Sequence, residues 1–386
     1  MKIALILLGR YPTDKAYGIT TQATIENLVN MGHKVKILSF PFPNQEPVEF
    51  EPYEKIEFSE NYFLKFCRRK FSENNRFINK FFWRLYVASY LSWVRNICLN
   101  LNFDLLWMRN FEVYEKLLKI ESKKIFELHS IPSEKQKESF RMRKQKLLLA
   151  PISRQIQLSV QDLKVPMIFS PMGIKRSYIS SETDIINYVD ELPHKNKFEL
   201  VYVGKLYPGG VSKGVETLIA IADQARLKKE NITIKVVGGD KKETERFNNL
   251  IYKNELVGYF QILGQLTHES AIQEIKKSDA IVLTRSADVN YNGFPIKAIE
   301  ALASGKLILV EKSKVYDDIF NNQTFVLWFD RKNIDKMFVD LKKSLESPNL
   351  VKKLNKNIIE AQKHTWEQRT LNLVSYGFEN YPTESQ

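Results

Sequence analysis

The chain predicts an α/β fold of two doubly wound, parallel-sheet units in tandem. Three observations carry this. Short continuous apolar runs alternate with stretches of helical period, the signature of strands buried on both faces. The rhythm breaks around Ser170-Pro171-Met172-Gly173-Ile174 and starts afresh after about Lys197. Glycines recur just past the apolar runs, where such sheets take their ligands.

In the first half, the runs at 2–8, 34–40, 103–107, 123–128, 149–152 and 166–169 predict strands. In the second, those at 199–204, 232–238, 258–262, 279–284, 306–310 and 324–328 do. The stretch from about Arg331 to Gln386 reads as helical, with Trp366 as a packing anchor. The opening apolar run is too short for a signal segment and no small-residue cleavage site follows, so it reads as the first buried strand. No run approaches the eighteen or so apolar residues of a spanning helix.

The chain has 386 residues, 44% of them hydrophobic, enough to bury two large cores. Its two cysteines, Cys67 and Cys98, match no metal or redox spacing, which fits a reduced, cytoplasmic compartment. Formal charge is +13 and uneven. Between residues 60 and 95, eight bases face only Glu60 and Glu73 and are interleaved with aromatic residues from Phe63 to Trp93. That mixture suits an anionic membrane surface, and equally suits helices that bury their rings and solvate their charges. No nucleic-acid-binding signature accompanies the charge.

The densest segment runs from Asn290 to Gly305, after the run Ala280–Thr284, and reads as strand, loop, helix. Gly293 permits close backbone approach to a ligand, and Pro295 suits a first helical position beside free N–H groups. Glu300 follows five residues later, so one helix spans both ends of an extended ligand.

The strand ending Val203-Gly204-Lys205 leads through a glycine-rich loop to Lys213, with Ser212 as expected helix N-cap. Two cations there suit a diphosphate; taken alone, surface lysines beside a turn are the simpler reading. Asp240, after Val236-Val237-Gly238-Gly239, reads as an N-cap rather than a catalytic acid. His129 closes the run 123–128 and is either a hydroxyl ligand or a satisfied buried imidazole. Gly18 opens the first helix, where a sugar or phosphate meets backbone N–H groups or where a plain loop glycine sits. No histidine shows metal-ligand spacing, so no metal site is expected.

In their order these pieces resemble a retaining glycosyltransferase of the GT-B fold, specifically family 4. The resemblance spans nearly the whole chain: the Gly18 loop, Asn30 to Val35, Glu127 to His129, Ser170 to Ile174, Gly204-Lys205 with Lys213-Gly214, and Gly293 to Gly305. It implies two Rossmann-like domains facing a central cleft, residues 1–172 on the acceptor side and 173–362 binding the nucleotide sugar. A helical tail, 363–386, would pack back toward the first domain.

The same resemblance implies roles. Lys205, in place of the family's usual arginine, and Lys213 would stabilise the leaving diphosphate. Gly204, Gly293, Phe294 and Pro295 would hold the donor, Glu300 the ribose hydroxyls, and His129 the sugar's primary hydroxyl. Asn292 stands where the family has a first glutamate; it keeps hydrogen bonding but loses charge. The donor would be a UDP- or GDP-sugar with no further cofactor or metal. The acceptor would be a glycan or lipid-linked glycan, reached from the cytoplasmic side of the membrane. A non-catalytic nucleotide-sugar-binding protein and a nucleotide-sugar 2-epimerase are the alternatives on this fold.

Overall fold

The computed structural model describes residues 1–9, 11, 16–40, 54–56, 58, 64–67, 76–142, 146–285 and 294–379. They form two compact units. Unit 1 comprises Met1–Met172 with Trp366–Gln386, and unit 2 comprises Gly173–Thr365.

Unit 1 is built on a six-stranded parallel sheet: β1 (Lys2–Leu7), β2 (Lys34–Ser39), β3 (Glu54–Ile56), β4 (Leu105–Met108), β5 (Lys123–Leu128) and β6 (Leu147–Pro151). Their spatial order is β3-β2-β1-β4-β5-β6. β1, β4 and β6 are apolar and buried nearly throughout, as a sheet covered on both faces requires. The strand expected at 166–169 is absent, reduced to one bridge between Leu149 and Met167. The segment still runs beside β6, with the Leu149 N–H donating to the Pro166 carbonyl at 2.9 Å and the Ser170 N–H to the Pro151 carbonyl at 2.9 Å. Conversely β3, a short edge strand with one apolar residue in three, carried no readable signal.

The helix Arg76–Leu101 docks on this sheet through Tyr86, Tyr90, Val94 and Cys98, all buried and spaced four residues apart. The Tyr90 hydroxyl donates to the Leu38 carbonyl at 2.6 Å and to that of Leu7 at 3.2 Å, so the helix is anchored by satisfied hydrogen bonds as well as by rings. The chain's last helix, Trp366–Glu379, returns to unit 1, where Leu373 and Val374 enter the core beside Ile25 and Leu28. Trp366 is buried.

Unit 2 repeats the plan with β7 (Phe198–Val203), β8 (Ile232–Val237), β9 (Phe260–Gly264), β10 (Ala280–Leu283), β11 (Leu307–Glu311) and β12 (Leu327–Phe329), in the order β12-β11-β10-β7-β8-β9. Helix starts are capped as their residues dictate. Asp240 forms a reciprocal capping box with Glu243, and Thr267 accepts from the Ser270 N–H. Leu200, Val282, Leu218 and Leu307 lie in one core, where truncating a leucine to alanine costs about 2 to 5 kcal/mol.

Candidate functional site

Unit 2 reverses its strand order between β7 and β10, and ligands of doubly wound sheets bind beyond the carboxyl ends at that point. Lys205 emerges just past β7, and Thr284 immediately follows β10. The Thr284 hydroxyl donates to the Lys213 carbonyl at 2.5 Å, and the Tyr316 hydroxyl donates to the Thr284 carbonyl at 2.8 Å. The Tyr202 hydroxyl donates to the Lys205 carbonyl at 2.8 Å. Both lysine-bearing loops are thereby tied to the same pair of strand ends.

Glycine makes this convergence feasible. Gly214 has φ +90°, and a Cβ there would lie 2.5 Å from Thr284 Cβ and 2.6 Å from the Arg285 carbonyl oxygen. Gly238, at φ +115°, would bring a Cβ within 2.3 Å of the Gly204 carbonyl oxygen. A buried carboxylate fixes the next layer: Glu311 accepts from the Thr217 hydroxyl at 2.7 Å and the Arg285 N–H at 2.8 Å, and pairs with Arg331 at 3.2 Å.

Two expected caps differ. The helix after Lys213 runs Val215–Leu227 and its N-cap is Gly214, while Ser212 Oγ accepts from the Gly214 N–H at 3.1 Å. Ser212 therefore shapes the turn ahead of the helix. Pro295 is the N-cap of the helix Ile296–Ala303, with extended ψ of 94°, rather than its first helical residue. The Pro295 carbonyl already accepts from the Ala298 N–H at 2.9 Å, the usual N-cap bond.

Phe294 is buried next to this cap, and Glu300 is buried in the helix with Oε1 2.6 Å from His268 Nε2. Asn292 and Gly293 lie outside the described residues. Lys205 is exposed and Lys213 half-buried.

Lys297 was not anticipated. It is half-buried one turn before Glu300, with its Nζ 5.0 Å from the centre of the Tyr202 ring. Burial, followed by repulsion from Lys213, lowers its pKa to about 8 against the opposing pull of Glu300. Those couplings make Lys213, Lys297 and Glu300 electrostatic neighbours. The only sequence signal was its three-residue spacing from Glu300.

Unit 1 holds a second polar centre. Glu127, at the end of β5, accepts from Trp107 Nε1 at 3.0 Å and from Arg369 Nη2 at 2.9 Å, while Oε2 lies 2.9 Å from His129 Nε2. Burial pushes this carboxyl up, but Arg369 and His129 outweigh burial and hold it far below the usual carboxylate range. His129 is thus oriented by its carboxylate neighbour and remains partly exposed. Gly18 is buried in the first turn of the helix Ala16–Asn30. Among the described residues, no group of three His, Cys, Asp or Glu side chains converges as a metal site.

Residues 185–364 match the family model described as glycosyl transferases group 1. Unit 2 contains a glycosyl transferases group 1 domain. Solved structures similar to the chain share its two-sheet α/β architecture, the GT-B fold of glycosyltransferases. A glycosyltransferase from Rickettsia africae is 16% identical, with TM-score 0.70 and 98% and 99% of the two chains covered. HepE from Anabaena, solved with UDP, is 13% identical, with TM-score 0.66 and 97% and 99% covered. WaaG, described as a glycosyltransferase involved in lipopolysaccharide biosynthesis, is 13% identical, with TM-score 0.60 and 98% and 100% covered. HepE has also been solved with UDP-glucose. No curated protein sequence matches the chain. The glycosyl transferases group 1 domain includes every unit 2 residue described above, from Lys205 to Arg331.

Proposed function

We propose that the protein is a retaining family 4 glycosyltransferase that moves a hexose from a UDP- or GDP-sugar to a glycan or lipid-linked glycan, in assembly of a cell-surface polysaccharide. The observation that supports this reading is the coupling of Lys213, Lys297 and the buried Glu300 in a glycosyl transferases group 1 domain, with Lys205 just past β7 at the strand-order reversal.

The lysines of the two tied loops neutralise the departing diphosphate as the glycosidic bond breaks. In a site sheltered from bulk water, this attraction is less screened than at the surface. Glu300 accepts from the ribose hydroxyls, and His129 from the sugar's primary hydroxyl. A leaving phosphate oxygen takes the acceptor's proton, so neither a carboxylate pair nor a metal or other cofactor is needed.

The HepE complexes with UDP and UDP-glucose, and the lipopolysaccharide role printed for WaaG, support the donor and acceptor classes. Work at the inner face of the plasma membrane is supported by an exposed cluster of Lys65, Phe66, Lys80, Phe81 and Arg84. Among the described residues no helix is long and apolar enough to cross a membrane. Asn292 in place of the family's glutamate favours one second reading, a binding protein that holds the donor without turnover.

Thermal unfolding across UDP-, GDP- and dTDP-sugars, followed by assay of released nucleotide with glycan acceptors, tests the proposal. A ligand at about 100 times its Kd stabilises the fold by about 2.7 kcal/mol, enough to rank donors. One donor class should stabilise the protein and be consumed. Stabilisation without release under every acceptor condition would favour the binding reading, and no stabilisation by any nucleotide would overturn both.

A further inference from the structure

Unit 1 has its own strand-order reversal, between β1 and β4, and a pocket opens there that the donor-side roles leave unused. It is lined by Thr20, Thr21 and Thr24 from the first helix, by Arg109 just past β4, and by Glu127 and Arg369. Its cavity volume is about 20 Å³ and it opens to solvent, so it admits a small polar group at its mouth rather than a whole sugar.

Arg109 is the unusual member. Its guanidinium lies 3.2 Å from the centre of the Tyr17 ring, stacked on that face and mostly withdrawn from water. Among the described residues it pairs with no carboxylate. Burial consequently lowers its pKa, only partly countered by Tyr17 and Glu127 at longer range. Stacking leaves the edge of a guanidinium, and its fork of N–H donors, unused.

The nearby acid cannot serve it. Both oxygens of Glu127 are committed, Oε1 to Trp107 and Arg369 and Oε2 to His129. Among the described residues, with Glu127 held by Arg369 and His129, Arg109 is the pocket's cation without a hydrogen-bonded carboxylate. Tyr17 adds no negative charge, since burial pushes its hydroxyl up to about 12. A stacked, preorganised guanidinium at a strand-order reversal is a receptor for an oxyanion.

We propose that Arg109 anchors an anion subsite in unit 1 that takes a phosphate or carboxylate carried by the sugar acceptor. This rests on the glycosyltransferase reading for the word acceptor, while the anion site itself rests on the geometry of unit 1. Arg109 is assigned binding and positioning; no bond-breaking step is routed through it.

Calorimetric titration of the full chain with glucose 6-phosphate, glucuronate and glucose tests it, using wild type, Arg109→Met and Arg109→Lys. Wild type should bind at least one of the two anionic sugars about tenfold or more tightly than glucose, the usual worth of a charge-assisted bidentate contact. The phosphate and carboxylate arms identify which oxyanion is preferred. Arg109→Met should erase the preference, and Arg109→Lys should retain part of it because charge survives without the fork. UDP affinity should be equal in all three proteins, so failure of UDP binding would sink the donor assignment while leaving this comparison readable. If Arg109→Met unfolds below the wild-type Tm, Arg109→Gln replaces it, keeping a stackable planar end. An undiminished preference in the variant, or a wild type that treats the three sugars alike, would overturn the proposal.

Discussion

Replacing Lys297 by methionine should remove a pH dependence from nucleotide binding. In the folded protein, burial and Lys213 lower this ammonium's pKa from 10.5 to about 8. Near pH 7 it is charged and assists a diphosphate. At about pH 9.5 only about 3% of it would be charged in the free protein. If the diphosphate restores the ordinary lysine value, affinity for UDP or GDP falls about 30-fold between those two pH values, equivalent to about 2 kcal/mol. The sign for stability is opposite. The unfolded chain binds the extra proton between about pH 8 and 10.5, so unfolding free energy rises with pH across that window. Calorimetry of UDP with wild type and Lys297→Met at paired pH values isolates the effect, because ionisation of the uracil ring is common to both. A wild-type affinity that falls no more steeply than the variant's would refute the placement of Lys297 against the diphosphate.

Other outcomes follow from the same structure. Glu300→Gln should weaken UDP binding by about tenfold or more through lost charge-assisted ribose contacts, with little change in Tm; unchanged calorimetric affinity would remove Glu300 from the ribose site. Arg369→Met should destabilise the fold by about 3 to 5 kcal/mol, since Glu127 is left buried and charged, and denaturant unfolding that moves by less than 1 kcal/mol would contradict that pairing. Wild-type stability owed to Glu127 is present above the ordinary carboxylate value of 4.5 and lost progressively as pH falls below it toward the depressed folded-state value. Lys80→Glu with Arg84→Glu should reduce sedimentation with phosphatidylserine vesicles at low salt; equal sedimentation would assign these exposed bases to solvent alone.

Much of the fold was legible because parallel strands buried on both faces are continuous apolar runs, and the helix after β8 announced itself through Asp240. Local pattern could not show what depends on distant partners. β3 is held by β2 rather than by its own residues, and Pro166-Met167-Ile168-Phe169 is apolar yet finds only one bridge. Lys205, Lys213 and Glu300 were readable from glycine loops and spacing, although their helix caps fell one or two residues away from expectation. Lys297 and Arg109 were not singled out in the sequence. Their significance comes from Tyr202 and Tyr17, on whose rings the folded chain places them. The Arg369 pairing with Glu127 joins residues 242 positions apart, beyond the reach of any local rule.

The central claim is that unit 2 grips a nucleoside diphosphate at its strand-order reversal. A crystal structure of the protein with UDP or GDP tests it most directly. The account predicts phosphate oxygens within hydrogen-bond reach of Lys205 and Lys213, with the ribose hydroxyls on Glu300. A nucleotide seated elsewhere, with those three side chains facing solvent, would contradict it.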